Sequence, residues 1–295
     1  MRAPGPTAPT SPCRRGKVRD VTTSQTPTQP ISSTSEAADA DAPTRRAVVT
    51  GASSGIGAAT VRHLRAAGWD VVAFARRADL LDALAAGTGA HPVVGDVTSD
   101  DDVAHLVREA EARGPVHAVL NIAGFASGTD PIDASDLDRW RAMFETNVLG
   151  TVRVTKAFLP AIRRAGFGTV LVLTSTAGHD AYSGGSGYVA TKHAEAAVAD
   201  TLRLELNGEP IRVLEIAPGM VRTEGFSLTR FDGDQARADA VYDGVEAPLT
   251  ADDVADVVTF AVTRPQHVAI DTLVLRPVAQ SSTTLLARGP LVTRR

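Results

Sequence analysis

From Arg46 onward, short runs of β-branched and other apolar residues alternate with longer stretches of helical period. That alternation restricts the chain to a parallel sheet covered by helices on both faces. Strands are expected at 47–50, 70–75, 91–95, 116–121, 169–175, 212–217 and 272–276, and helices at 58–67, 78–86, 101–113, 136–164, 188–206 and 251–263. Gly68, Gly87, Gly114, Gly166 and Gly208 follow the helices as stops. Right-handed crossovers then give an α/β fold, a single Rossmann-type doubly wound sheet of about seven strands. With 295 residues, 43% of them apolar, one large domain over 44–280 is expected rather than two small ones. Ligands of such sheets bind beyond the carboxyl ends of the strands. Gly51, Asp96, Asn121, Ser175 and Pro218 fall there.

The first of these strand ends runs into Thr50-Gly51-Ala52-Ser53-Ser54-Gly55-Ile56-Gly57. Glycines at 51, 55 and 57 let the chain turn tightly at a helix N-terminus, where free N–H groups can face a pyrophosphate. A glycine turn alone is a weak signal, since a purely structural turn has the same composition. The end of the second strand adds to it. A ribose with free hydroxyls is usually held there by an acid, whereas this chain has Arg76 and Arg77. Unless the pair is only a solvated helix start, two guanidiniums suit a 2′-phosphate, so NADP(H) is expected over NAD(H).

Further on, Tyr188 and Lys192 stand four residues apart in a helical stretch and share one face. A free phenol has a pKa near 10, and use at neutral pH calls for a shift of roughly three units. A neighbouring ammonium can supply much of that, and the pair reads as proton chemistry for hydride transfer.

Together these residues resemble the short-chain dehydrogenase/reductase family, from about Arg46 to about Gln280. Thr50 to Gly57 is similar to its cofactor fingerprint, Asp96-Val97 to its adenine contact, and Asn121-Ile122-Ala123-Gly124 to its NAG motif. Asn147, Ser175, Tyr188 and Lys192 resemble its catalytic set, and Pro218-Gly219-Met220-Val221-Arg222-Thr223 its PGxVxT segment. The resemblance implies that Tyr188 gives and takes the proton on the substrate oxygen while Ser175 hydrogen-bonds that oxygen. Lys192 would lower the Tyr188 pKa and reach the nicotinamide ribose, Asn147 would hold a water on a proton path, and Val221 with Thr223 would grip the carboxamide and phosphate. Gly51, Ser53, Ser54, Gly55, Ile56, Gly57, Arg76, Arg77, Asp96, Val97, Asn121, Ala123, Gly124, Pro218 and Gly219 are the remaining expected cofactor contacts; no metal is implied.

The stretches Thr223-Glu224-Gly225-Phe226, Arg230-Phe231-Asp232-Gly233-Asp234 and Arg276-Pro277-Val278-Ala279-Gln280 resemble the branch that oxidises serine and other 3-hydroxy acids with NADP. Arg222 or Arg230 would then face a substrate carboxylate. Ala177, His179, Tyr182 and Met220 are further expected substrate contacts, with 220–242 closing over them. Two alternatives stay open: a reductase of larger neutral ketones or aldehydes in secondary metabolism, and a non-catalytic NADP-binding regulator. The family habit implies a homotetramer, or a homodimer, through the helices at 136–164 and 188–206.

Residues 1–43 hold seven of the 17 prolines among many Ser and Thr. A disordered N-terminal extension is expected there, rather than an organelle transit peptide, and 281–295 reads as a C-terminal tail. The net charge of -4 comes from 30 basic and 34 acidic residues without a dense basic cluster, which argues against nucleic acid as a partner. No apolar run reaches the ~18 residues of a membrane helix. A single cysteine, Cys13, permits no intrachain disulfide and fits a reducing, cytoplasmic setting.

Overall fold

The computed structural model describes residues 44–293; the expected N-terminal extension lies outside them. The first half runs β1 (Arg46–Thr50), α1 (Gly55–Ala66), β2 (Asp70–Ala75), α2 (Ala78–Thr88), β3 (His91–Val94), α3 (Asp100–Ala112) and β4 (Ala118–Asn121). The second half runs α4 (Leu137–Met143), α5 (Gly150–Ala165), β5 (Gly168–Leu173), α6 (Ser186–Glu205) and β6 (Ile211–Pro218). It ends with β7 (Val221–Arg222), α7 (Phe226–Arg230), α8 (Gln235–Ala240), β8 (Leu249–Thr250), α9 (Ala251–Val262) and β9 (Thr272–Leu275).

Seven strands form one sheet in the order β3-β2-β1-β4-β5-β6-β9, every neighbouring pair parallel, while β7 and β8 pair separately. The sheet therefore switches direction between β1 and β4, which opens a crevice at their carboxyl ends. Successive strand residues feed opposite cores, as the period of two requires. Val49, Leu120, Leu171 and Leu214 pack toward Leu64 of α1, Leu81 of α2 and Val258 of α9. Val48, Val119, Val170 and Val213 pack toward Leu106 of α3, Phe158 of α5 and Leu202 of α6.

Two expectations, the helix over 136–164 and the stop at Gly87, are corrected, and the packing of the C-terminal tail is added. The helix expected over 136–164 is interrupted: α4 passes through a π-helical turn, Phe144–Leu149, before α5 begins. Such turns insert one residue into the helical ladder and concentrate at functional positions; here the turn holds Asn147. Gly87 lies inside α2, which stops instead at Gly89 in the left-handed conformation, φ 71°. The tail is folded back: the Arg288 guanidinium donates to the carbonyls of Asp243 and Val241, and Gly289 N–H donates to Gly244 O at 2.7 Å. Among the described residues no helix is long and apolar enough to cross a membrane.

Candidate active site

A cavity of about 690 Å³ lies over the switch point. Its floor is the glycine turn. Thr50 Oγ1 accepts from the N–H groups of Ile122 (3.0 Å) and Ala123 (3.1 Å), tying the end of β1 to the end of β4. This junction was not singled out from the sequence, because a Thr closing a strand has no distinctive pattern. A Cβ built on Gly57 would stand 2.2 Å from the Gly51 carbonyl oxygen, and one on Gly51 would stand 2.8 Å from Ala123 Cα. Only glycine fits at these two positions, and the bare backbone between Gly51 and Gly57 is a cradle open to the cavity. Ser53, Ser54, Gly55 and Ile56 line the cavity, as do Ala123 and Gly124.

At the end of β2, Arg77 turns back onto that cradle and donates to Ser53 Oγ (2.9 Å) and Ser54 Oγ (2.6 Å). Arg76 is largely exposed, 3.7 Å from Asp96. Asp96 is fixed in turn, its backbone N–H donating to Asp102 (2.8 Å) and its Oδ1 accepting from Thr98 N–H (3.0 Å). Asp96 and Val97 line the cavity beside the two arginines. The donor set fits a dinucleotide whose adenosine end carries an extra phosphate: backbone N–H groups for the pyrophosphate, and two guanidiniums with two serine hydroxyls beyond it.

Ser175 follows β5, and Tyr188 and Lys192 project from the first turns of α6 into the other end of the cavity. The Ser175 Oγ donates to Pro218 O at 3.3 Å and accepts from Ala177 N–H at 3.1 Å. The Lys192 Nζ lies 5.8 Å from the centre of the Tyr188 ring and donates to Leu173 O at 2.9 Å. Phe226 of α7 meets the Tyr188 ring edge-on at 5.8 Å. Burial pushes the Tyr188 hydroxyl above the usual tyrosine range. Lys192 and the Ser175 hydroxyl pull it down, while Tyr182 and Glu195 work against them. The lowering expected from Lys192 is therefore present but outweighed, because a phenol with 9% of its surface exposed loses most of its hydration. For Lys192, burial favours the neutral amine, and Glu195 and Tyr188 more than offset it.

Asn147 is fully buried in the π-helical turn. Its Oδ1 accepts from Phe125 N–H at 3.0 Å, and its Nδ2 donates to Phe125 O (2.9 Å) and Thr191 Oγ1 (3.2 Å). It braces the segment after β4 against α6 from behind the cavity wall. Asn121 is buried as well: its Nδ2 donates to Thr155 Oγ1 and Leu171 O, and its Oδ1 has no hydrogen-bond partner among the described residues.

Of the expected substrate contacts, Ala177, Tyr182 and Met220 line the cavity, as do Pro218, Gly219, Val221 and Thr223. His179 does not; its ring is held at 2.9 Å by the buried Glu215 of β6. Arg222 does not either; its side chain is exposed and its guanidinium lies 5.2 Å from the centre of the Tyr242 ring. Arg230 does line it. Glu195 was missed from the sequence, although an acid on the face shared by Tyr188, Lys192, Ala199 and Leu202 was the signal for it.

The model of the family described as short chain dehydrogenase matches residues 45–231. The chain belongs to that family. Relatives match it over most of their length. An uncharacterized oxidoreductase of Mycobacterium tuberculosis is 53% identical over 247 residues, 84% of this chain and 96% of the relative. A serine 3-dehydrogenase of Agrobacterium fabrum is 39% identical over 238 residues, covering 79% and 94%. Among solved structures, the closed form of a serine dehydrogenase complexed with NADP+ superposes with a TM-score of 0.78 at 33% identity, covering 85% of this chain and all of that one.

Proposed function

We propose that this short-chain dehydrogenase interconverts a small 3-hydroxy acid, of the serine type, and its carbonyl form. It is an oxidoreductase acting on CH–OH donors, and its cofactor is NADP(H). The cradle from Gly51 to Gly57 would hold the pyrophosphate, Arg76 and Arg77 the 2′-phosphate, and Val221 with Thr223 the nicotinamide end. When bound, the cofactor supplies or accepts the hydride at the substrate carbon. This chain's own residues handle the oxygen. Tyr188 donates its phenolic proton to the carbonyl oxygen in reduction and takes it back in oxidation. Ser175 hydrogen-bonds the same oxygen as charge builds on it. The Lys192 ammonium favours the phenolate, and Asn147 keeps the wall behind the pair in place.

One observation carries the acid specificity. Four cations line the cavity: Arg76, Arg77, Lys192 and Arg230. The first two belong to the cofactor's far end, and Lys192 is engaged by Leu173 and Glu195. Arg230 is the remaining one, and among the described residues it has no carboxylate partner. Its guanidinium lies over the Tyr182 ring at 5.6 Å, and its hydrogen bonds go only to the carbonyls of Gly128 (3.4 Å) and Gly184 (3.3 Å). A substrate carboxylate would complete that set. The serine 3-dehydrogenase relative supports the reading.

Arg230→Ala should raise KM for 3-hydroxy acids about tenfold or more while leaving uncharged alcohols unchanged, with Arg230→Lys intermediate. Equal losses on charged and neutral substrates, read from initial rates, would remove the carboxylate role. A homotetramer or homodimer through the helical stretches 136–164 and 188–206 goes with this reading; in the first of them Leu149 of the π-helical turn and Val152 of α5 are exposed. Light scattering on purified protein measures it.

A further inference from the structure

Among the buried charges of the described residues, the one beside Lys192 has no part in the chemistry above. The inward face of α6 carries Tyr188, Lys192, Glu195, Ala199 and Leu202. A helix face packed on a sheet calls for an apolar residue at each such position. Position 195 carries a carboxylate instead, 1% exposed, with its Oε2 2.8 Å from Lys192 Nζ. That approach is a charge contact rather than an aligned hydrogen bond: the Nζ hydrogen bond goes to Leu173 O, and Glu195 Oε2 has no aligned donor. A buried pair of this kind seldom repays its desolvation, and an apolar residue of similar volume would be as good for stability.

A second buried carboxylate backs the first. Glu215 of β6, also 1% exposed, accepts from Thr174 Oγ1 (2.7 Å) and Thr272 Oγ1 (3.1 Å) and meets His179 Nε2 at 2.9 Å. The charged and titratable groups acting on Glu195 are thus Lys192 and Tyr188 from its own helix and Glu215 from the sheet, with His179 beyond Glu215. Two donors and a ring nitrogen hold Glu215; among the described residues Glu195 has only the ammonium.

We propose that Glu195 is a positioning residue for catalysis: its carboxylate, buried against Lys192 and backed by Glu215, offsets part of the ammonium's charge and so sets how strongly Lys192 favours the Tyr188 phenolate. Burial, countered by Lys192 and reinforced by Glu215, pushes the Glu195 carboxyl up to about 7. The sign follows. Above neutrality the carboxylate is ionised, the ammonium is partly neutralised and the phenol holds its proton more tightly. Below neutrality Glu195 takes up a proton, the ammonium acts at full strength and the phenol's proton loosens. The arrangement counteracts the loss of phenolate on acidification and flattens the pH dependence of alcohol oxidation.

The inference rests on the assignment of Tyr188 and Lys192, and its test needs no substrate. The chain has 3 tyrosines, so the ultraviolet absorbance of tyrosinate can be followed during an alkaline titration of the full-length protein. The step missing from Tyr188→Phe identifies Tyr188. In Glu195→Gln, and in the apolar Glu195→Met should the first fail to fold, that step should move to lower pH by about one unit. A merely structural role predicts no movement. An unchanged midpoint, or one displaced upward, would overturn the proposal. Failure of the activity assignment would show separately, as a Tyr188→Phe variant that retains turnover.

Discussion

Tyr188→Phe should lower kcat by about a thousandfold while NADPH binding stays intact, because positioned acid–base catalysis contributes about 10²–10⁴-fold. The substitution removes one oxygen from a ring already packed edge-on against Phe226, so the wall of the cavity stays filled. The Lys192 ammonium beside it is engaged by Leu173 O and Glu195 and is a poor replacement proton donor. Steady-state rates followed by NADPH absorbance, with binding measured by fluorescence, separate the two quantities. Equal losses in kcat and cofactor affinity would mean that the phenol supports the site without taking part in the chemistry.

Arg76→Asp should cut the preference for NADPH over NADH by about ten to a hundredfold, the worth of one or two hydrogen bonds to a charged group. Two effects act together. The cation beside Asp96 is lost, and a second carboxylate is set next to the first, which repels a phosphate and accepts from ribose hydroxyls. Arg77 should behave differently. Because it donates to both Ser53 and Ser54, its replacement should weaken both cofactors as the cradle loosens. The ratio of kcat/KM values for the two cofactors decides it; a ratio unmoved by Arg76→Asp would place the 2′-phosphate elsewhere.

The sheet and the cofactor end were readable in the sequence because each rests on local chemistry. A strand of Val and Ala followed by a glycine turn leaves few conformations, and Gly51 and Gly57 sit where a Cβ would meet the backbone. Readability fell away where long-range packing decides. The π-helical turn at Asn147 leaves no mark in the residue pattern, since helical period is kept on either side. Arg222 and Arg230 are equivalent in sequence terms. Only the fold of α7 and α8 puts one into the cavity and the other over Tyr242. His179 looked available because Glu215, its partner, lies 36 residues on in another strand. Glu195 was hidden for the opposite reason: an acid in an alanine-rich helix reads as part of a solvated face, like Asp200 and Glu205, until α6 is seen packed on β6.

The measurement that bears most directly on the central claim is the rate of NADPH formation by the full-length protein with L-serine, 3-hydroxypropionate and 3-hydroxyisobutyrate, set against neutral alcohols of matched size. The account predicts kcat/KM values for the acids at least about tenfold above those for the alcohols, the worth of one charge-assisted contact at Arg230. Neutral alcohols or larger ketones turned over as well as, or better than, the acids would contradict it.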